Sequence, residues 1–327
     1  DLYPLLFTPV LKDYVWGGRN LETRYGRSLP EGVVAESWEI AAHSDGATVV
    51  SNGPLAGKPL SDLFALYGVE LIGTNSQWAL DRSRFPLLVK LLDAQERLSV
   101  QVHPHDDYAK EHEHDELGKT EMWVILDANP GAQIILGVTE GTSIEAFAKA
   151  IENSTLNPYL HQIEIKAGDF VCVPSGSLHA ILGGILIAEI QQNSNTTYRV
   201  YDWGRSQANR PLHIRKAMDV INFDQVEPAL PSPVSLTSTE GIRRERLCQN
   251  SYFTVERLHF DEGASWSGKL TGETFEIWGV IEGNMQLRSE PGENPLDAVQ
   301  FVLLPAVLDD YEMAAKSEST ALRIFAE

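Results

Sequence analysis

Cysteine is scarce in this chain. Two residues in 327, Cys172 and Cys248, cannot build a disulfide framework. Basic residues are few as well. Lys and Arg number 26 against 46 Asp and Glu, and the resulting charge of −20 argues against reading a nucleic-acid backbone by charge. No apolar run approaches the ~18 residues of a membrane span. The opening DLYPLLFTPV has neither a basic start nor a long apolar stretch, so no secretory signal is expected. What remains is ordinary globular composition, 43% hydrophobic and 22% charged, which excludes disordered and fibrous classes. The expectation is a soluble, cytoplasmic protein of about two domains, with no nucleic-acid partner and no membrane.

Most local signals are those of strands. Residues 85–103 (FPLLVKLLDAQERLSVQVH) hold an apolar run, a turn, and alternation through Leu98, Val100 and Val102. Further runs lie at 121–127, 132–138, 161–165, 170–173 and 185–190, separated by turn signals such as Asn129-Pro130-Gly131. One helix is predicted from Thr142-Ser143-Ile144-Glu145, which has the form of a capping box, with Ile144, Phe147, Ala148 and Ile151 at helical spacing. Weaker helical signals sit at 60–66 and 214–220. Short strands with regular turns indicate a mainly β fold, a sandwich or jelly roll with a few short helices.

Residues 228–238 (PALPSPVSLTS) read as a linker, dividing a domain at 1–227 from one at 239–327. A partial repeat crosses it: Glu121-Met-Trp-Val-Ile-Leu-Asp-Ala-Asn129 aligns with Glu276-Ile-Trp-Gly-Val-Ile-Glu-Gly-Asn284, as duplication of one β-domain would leave it.

Histidine carries the chemistry. His103, His105, His112 and His114 crowd into one short stretch. Gln101 and His103, two apart on an expected strand, share a face; Glu121 opens the next strand, and His179 follows a glycine turn. One amide oxygen, two imidazoles and a carboxylate suit Zn²⁺ or another borderline divalent ion. His105, His112 and His114, set among acids, read instead as a solvated charged loop.

The run GDFVCVPSGSLHAILG at 168–183 resembles the second conserved motif of the cupin family, whose histidine binds metal inside a small jelly roll. Gly183 stands where that motif usually closes on Asn. The resemblance implies two cupin-type jelly rolls: a catalytic one within 1–227 and a C-terminal one within 239–327. Glu276 matches Glu121, but no histidine follows Pro305 as His179 follows Pro174, so the second is expected to be metal-free.

A narrower resemblance covers about residues 10 to 220. VWGG (Val15 to Gly18), AESWEI (Ala35 to Ile40), FPLLVKLLDA, LSVQVHPHDDYA, ELGKTEMW, VPSGSLHA and IAEIQQNSNTTYRVYDWGR together resemble the type I phosphomannose isomerases, short bacterial form. The resemblance implies zinc, one ion per chain, on Gln101, His103, Glu121 and His179. Catalytic roles fall on Arg199 and Lys119, and a substrate pocket on Trp16, Glu36, Lys90, Ser99 and Glu189. The implied substrate is a small sugar phosphate, mannose 6-phosphate isomerised to fructose 6-phosphate. Two departures stand out: Asn195 replaces a common Asp, and the stretch from His105 to Asp115 is unusually rich in His and acid. Two other readings start from the same residues: a metal-dependent cupin dioxygenase, and a sugar-binding bicupin without turnover.

Overall fold

The computed structural model describes residues 1–205, 210–290 and 292–326. The chain forms two compact units, each gathered from separate stretches: Asp1–Val10, Trp38–Val89 and Ser232–Glu327 in one, Leu11–Ser37 and Lys90–Pro231 in the other.

The Leu11–Ser37 and Lys90–Pro231 unit is built on two sheets. One has the order Leu160–Glu164, Gln133–Val138, His179–Ile181, Val100–Val102, Tyr198–Tyr201; the other runs Phe170–Val173, Glu121–Ala128, Ile185–Gln192, Leu87–Ala94, Glu36–Ile40, Val10–Lys12. Side chains alternate across each strand. Ile134, Leu136 and Ile181 from the first sheet meet Trp123, Ile125, Val171, Ile187 and Leu92 from the second in one buried cluster. The alternate residues Val100, Val102, Ile135, Ala180, Tyr198 and Val200 pack on the far face of the first sheet, against Phe147, Ala150, Ala217 and Val220. Those four come from the helices Ile144–Glu152 and Ile214–Val220, which cover that face. The period-2 pattern therefore turns Gln101, His179 and Arg199 into the space between the sheets, along with Glu121, Lys90 and Glu189.

The other unit repeats the plan. Its eight-stranded sheet places Glu276–Glu282 between Gln300–Leu304 and Ser319–Phe325, just as Glu121–Ala128 lies between Phe170–Val173 and Ile185–Gln192. A four-stranded sheet, Ser265–Leu270, Asp309–Ala315, Asn284–Ser289, Gly292–Asp297, supplies Leu270, Met313, Met285 and Leu296 to a core shared with Trp278, Leu258 and Val302. Leu5–Thr8 joins the larger sheet by pairing with Gln300–Leu304.

Two cupin-type jelly rolls are not what forms. Among the described residues no sheet closes into a barrel; each ends in two distinct edge strands. Strands from the first fifty residues are added at sheet edges: Val10–Lys12 and Glu36–Ile40 lengthen one sheet, Leu5–Thr8 and Val49–Val50 another. Each added strand takes up the hydrogen-bonding groups of the edge it covers and becomes the new edge, which stays unpaired with the opposite one.

The helix predicted near 142 also differs in detail. Its cap is Ser143, whose hydroxyl accepts from the Ala146 N–H at 3.1 Å, and Glu145 lies in the first turn rather than in a capping box. Phe147 and Ile151 pack on the core as expected, joined by Ala150, while Ile144 is exposed. The His- and acid-rich stretch folds as a short helix, Asp106–His112. His105 caps it by accepting from the Tyr108 N–H, with Asp106 and Asp107 in its first turn, where acids complement the helix dipole.

Candidate active site

His103, Glu121 and His179 converge with ligand atoms within 4.8 Å of one another, all three buried. The pairing of strands explains how. His179 faces Gln101 in register, and Gln101 faces Arg199 on its other side, so the three lie in a row across adjacent strands. Glu121 reaches them from the opposite sheet. His103 is fixed just past its strand: its carbonyl accepts from the Gly176 N–H at 2.8 Å. Gly176 has a φ of +87° and sits where a Cβ would meet the Val220 carbonyl at 2.9 Å, so this turn, which aims His179, needs glycine.

Both imidazoles are oriented for metal. Nδ1 of His103 lies 2.9 Å from the Thr196 carbonyl, and Nδ1 of His179 lies 2.9 Å from the Ser177 carbonyl. Each carbonyl can only accept, so each Nδ1 carries the proton and each Nε2 keeps its lone pair for the site. Those Nε2 atoms are 3.6 and 3.4 Å from the Glu121 carboxylate. Burial, reinforced by Lys119 and the neighbouring imidazole, holds His103 well below its ordinary value. Burial likewise brings His179 down to about 4. Both rings are therefore neutral at pH 7, the form that ligates.

Glu121 completes the fit. Its Oε1 accepts from the Trp123 indole at 3.1 Å, but Oε2, buried, has no hydrogen-bond partner among the described residues. Lys119 Nζ is 3.0 Å from Oε2 yet outside hydrogen-bonding direction, so the contact is an ion pair only. Two neutral imidazoles and an unsatisfied carboxylate oxygen form the donor set of a divalent cation with open positions. Gln101 stands at its edge, with Nε2 3.3 Å from His179 Nε2 and Oε1 accepting from Ser99 at 3.1 Å.

A cavity of about 310 Å³ opens from this point. Its walls bring together Trp16, Glu36, Lys90, Ser99, Gln101, Lys119, Glu121, Glu189 and Arg199, while His103 and His179 lie behind the lining. Lys119 Nζ is 3.1 Å from His103 Nε2. The Lys119 N–H donates to the Pro104 carbonyl, and the preceding Gly118 N–H donates to Asp106. The short helix thus holds Lys119 beside the ligands. Lys90 lies between Glu36 at 3.4 Å and Glu189 at 3.3 Å. Burial opposes its charge, but Glu189, Glu36 and Glu121 outweigh burial and push its pKa up. Burial and then the charge of Glu121 push the Glu189 carboxyl up from its ordinary value, against the pull of Lys90. Arg199 is lowered by burial and by Arg210, and its Nε has no hydrogen-bond partner among the described residues.

His105 and His112 belong to the helix, with the His112 ring 4.0 Å from Tyr108, and neither lines the cavity. The cavity also has walls that sequence reading missed, among them Tyr14, Trp123, Thr197, Arg210 and His213. Trp123 was accessible from alternation with Glu121. Arg210 and His213 follow a turn, where no periodicity reports direction.

Three buried candidate metal ligands beside a cavity whose walls include Lys90, Lys119, Arg199 and Arg210 define the site of an enzyme that acts on a small anionic molecule. The sequence model of the type I phosphomannose isomerase catalytic domain matches residues 5–148. The mannose-6-phosphate isomerase ManA of Bacillus subtilis is 38% identical, the alignment covering 96% of this chain and 97% of that protein. The mannose-6-phosphate isomerase of Streptococcus mutans is 42% identical over 77% of each. A crystal structure of the Bacillus subtilis mannose 6-phosphate isomerase superposes with a TM-score of 0.88 at 38% identity, covering 98% of this chain and 99% of that one. The chain belongs to the type I phosphomannose isomerase family. The fold is accordingly that of the Bacillus subtilis enzyme.

Proposed function

We propose that this chain interconverts mannose 6-phosphate and fructose 6-phosphate, with one Zn²⁺ held by His103, Glu121 and His179 and with Gln101 beside it. The observation that carries the reading is the triad within 4.8 Å, its Glu121 Oε2 unsatisfied, beside a cavity lined with Lys and Arg. Two imidazoles and a carboxylate favour zinc among biological divalent ions. When bound, the ion supplies Lewis-acid stabilisation of negative charge on the sugar oxygens next to the reacting carbons.

The reaction takes a proton from C2 of the aldose, passes through an enediol, and returns a proton to C1, while a hydrogen moves from one oxygen to the other. Glu189 is placed to take and return the carbon proton. It faces the cavity, and burial raises its pKa, which makes it a stronger base than a solvated carboxylate. Lys119 faces the same space as a hydrogen-bond donor to the oxygen on which charge develops. Arg199 remains charged at pH 7 and acts electrostatically, its free Nε edge stabilising the enediolate. Trp16 closes the apolar side of the cavity and keeps water from the reacting carbons. The arginines Arg199 and Arg210 in the walls favour a phosphorylated substrate over the molecular oxygen of a dioxygenase, which needs no such charge.

A coupled assay that follows fructose 6-phosphate formed from mannose 6-phosphate tests this reading. Turnover that disappears with chelator and returns with Zn²⁺ is expected; full turnover in protein free of metal by elemental analysis would defeat it.

A further inference from the structure

We propose that Arg210 is a substrate-binding residue that seats the phosphoryl group of the sugar phosphate, held in position by Asp202 and flanked by His213. The inference rests on reading the cavity as the sugar-phosphate site and extends it to the wall beside Arg199, on the edge strand of its sheet.

The charges around the cavity are unevenly compensated. Lys90 is flanked by Glu36 and Glu189, and Lys119 by Glu121, all within 3.4 Å, so neither lysine carries surplus charge toward a ligand. Arg210 differs. It contacts Asp202 through Nε at 2.6 Å and Nη2 at 3.3 Å, a two-pronged pair that locks the guanidinium plane. Asp202 is also bound by Arg205 at 3.1 Å, and Arg199 has no ion pair among the described residues. Two guanidiniums, Arg205 and Arg210, thus share one buried carboxylate while Arg199 has none, and Arg199 and Arg210 both line the cavity. A dianionic group matches that surplus.

Position agrees with charge. His179, Gln101 and Arg199 form a row across three strands, with neighbouring strands ~4.8 Å apart. Arg199 therefore stands beside the reacting carbons, at the side of the ligand set. Its strand, Tyr198–Tyr201, is the last of its sheet. The segment bearing Arg210 and His213 is tied along that strand: the His213 N–H donates to the Arg199 carbonyl at 2.8 Å, and the Arg199 N–H donates to His213 Nδ1 at 3.3 Å. With Nδ1 accepting, the His213 proton sits on Nε2 as a donor. In a 6-phosphate the phosphorus is attached at the carbon farthest from C1, several bonds beyond C2. A sugar with C1 and C2 at the ligands and Arg199 extends its phosphoryl group toward Arg210. The edge of Arg210 not engaged by Asp202 then meets the phosphate oxygens, as a guanidinium fork does.

The test is steady-state kinetics with mannose 6-phosphate, together with competitive inhibition by inorganic phosphate. Arg210→Met should raise the KM for the sugar phosphate and the inhibition constant of inorganic phosphate in parallel, by about ten- to hundredfold, with kcat held within about threefold. Asp202→Asn should shift both constants the same way by less, since the arginine remains but is no longer held. If Arg210→Met does not fold, Arg210→Lys keeps the charge and loses the fork, and a severalfold rise in both constants is expected. Unchanged constants in the variant that folds, or a fall in kcat alone, overturn the proposal. Absence of mannose 6-phosphate isomerisation by the unmodified chain would instead defeat the reading of the cavity.

Discussion

Gln101 faces Arg199 in register across two antiparallel strands, and its amide nitrogen lies 3.3 Å from His179 Nε2. This places the arginine one strand beyond Gln101, the neighbour of His179, in the lining of the same cavity and outside the candidate ligand set. Arg199→Ala should lower kcat by ~10²–10³, the usual cost of losing one oriented charge donor. Zinc content and melting temperature should stay near those of the parent. A raised KM at unchanged kcat would show that Arg199 holds the phosphate instead.

The indole of Trp123 supports the metal site from outside. Its Nε1 donates to Glu121 Oε1 at 3.1 Å and leaves Oε2 for the ion. Trp123→Phe retains the packing and removes the donor, so zinc affinity should fall by about 10–100-fold while the protein stays folded. Competition titration with a chromogenic chelator measures this; unaltered affinity would show that the indole has no part in holding the carboxylate.

Acid should destabilise the metal-free protein through its two ligand histidines. Both have folded-state values below the unfolded ~6.5, His179 at about 4 and His103 also far depressed, chiefly by burial. Above ~6.5 both states hold the rings neutral, and nothing is lost. As pH falls below that, the unfolded chain takes up protons that the folded one refuses, so stability drops until the folded-state values are reached. The expected loss is up to ~1.4 kcal/mol per pH unit for each ring. Thermal melts of chelator-treated protein between pH 7 and pH 4 read the slope directly, and His179→Gln should flatten it.

The second unit should bind no metal. Glu276 occupies the strand position equivalent to Glu121, and Trp278 donates to it at 2.9 Å, as Trp123 does to Glu121. Its other contacts are Arg323 and the Tyr311 hydroxyl, not imidazoles. The guanidinium neutralises this carboxylate where an ion would neutralise the other. Elemental analysis should find one zinc per chain. Glu276→Gln should leave that number unchanged and cost about 1.5–3 kcal/mol of stability, since the half-buried Arg323 then keeps, among the described residues, Glu256 as its one ion-pair partner.

Much of the site could be read before any coordinates. Gln101 and His103 stand two apart, Glu121 opens an apolar strand, and His179 ends a glycine turn; the structure brings all four together. Lys119 could be placed beside Glu121 by simple alternation. Arg199 and Glu189 had only resemblance behind them, because an arginine or glutamate in a polar run looks like any solvated charge. The compensation of Lys90 by Glu36 and Glu189 was hidden for another reason. These residues come from three strands far apart in the chain, and nothing in one strand names its neighbours.

The sequence by itself determined the elements and the faces they bury, since alternation along a strand and caps at a helix are local effects of backbone geometry. It also carried the ligand types, because neutral imidazoles and a carboxylate are chosen by metal chemistry wherever they lie. Only the tertiary structure decided that the sheets stay open, that Leu5–Thr8 pairs with Gln300–Leu304, and that Arg210 and His213 turn back along the Arg199 strand. Edge pairing depends on hydrogen bonds between segments distant in the chain, and the direction of a side chain after a turn depends on what packs against it. Neither leaves a periodic trace in the residues themselves.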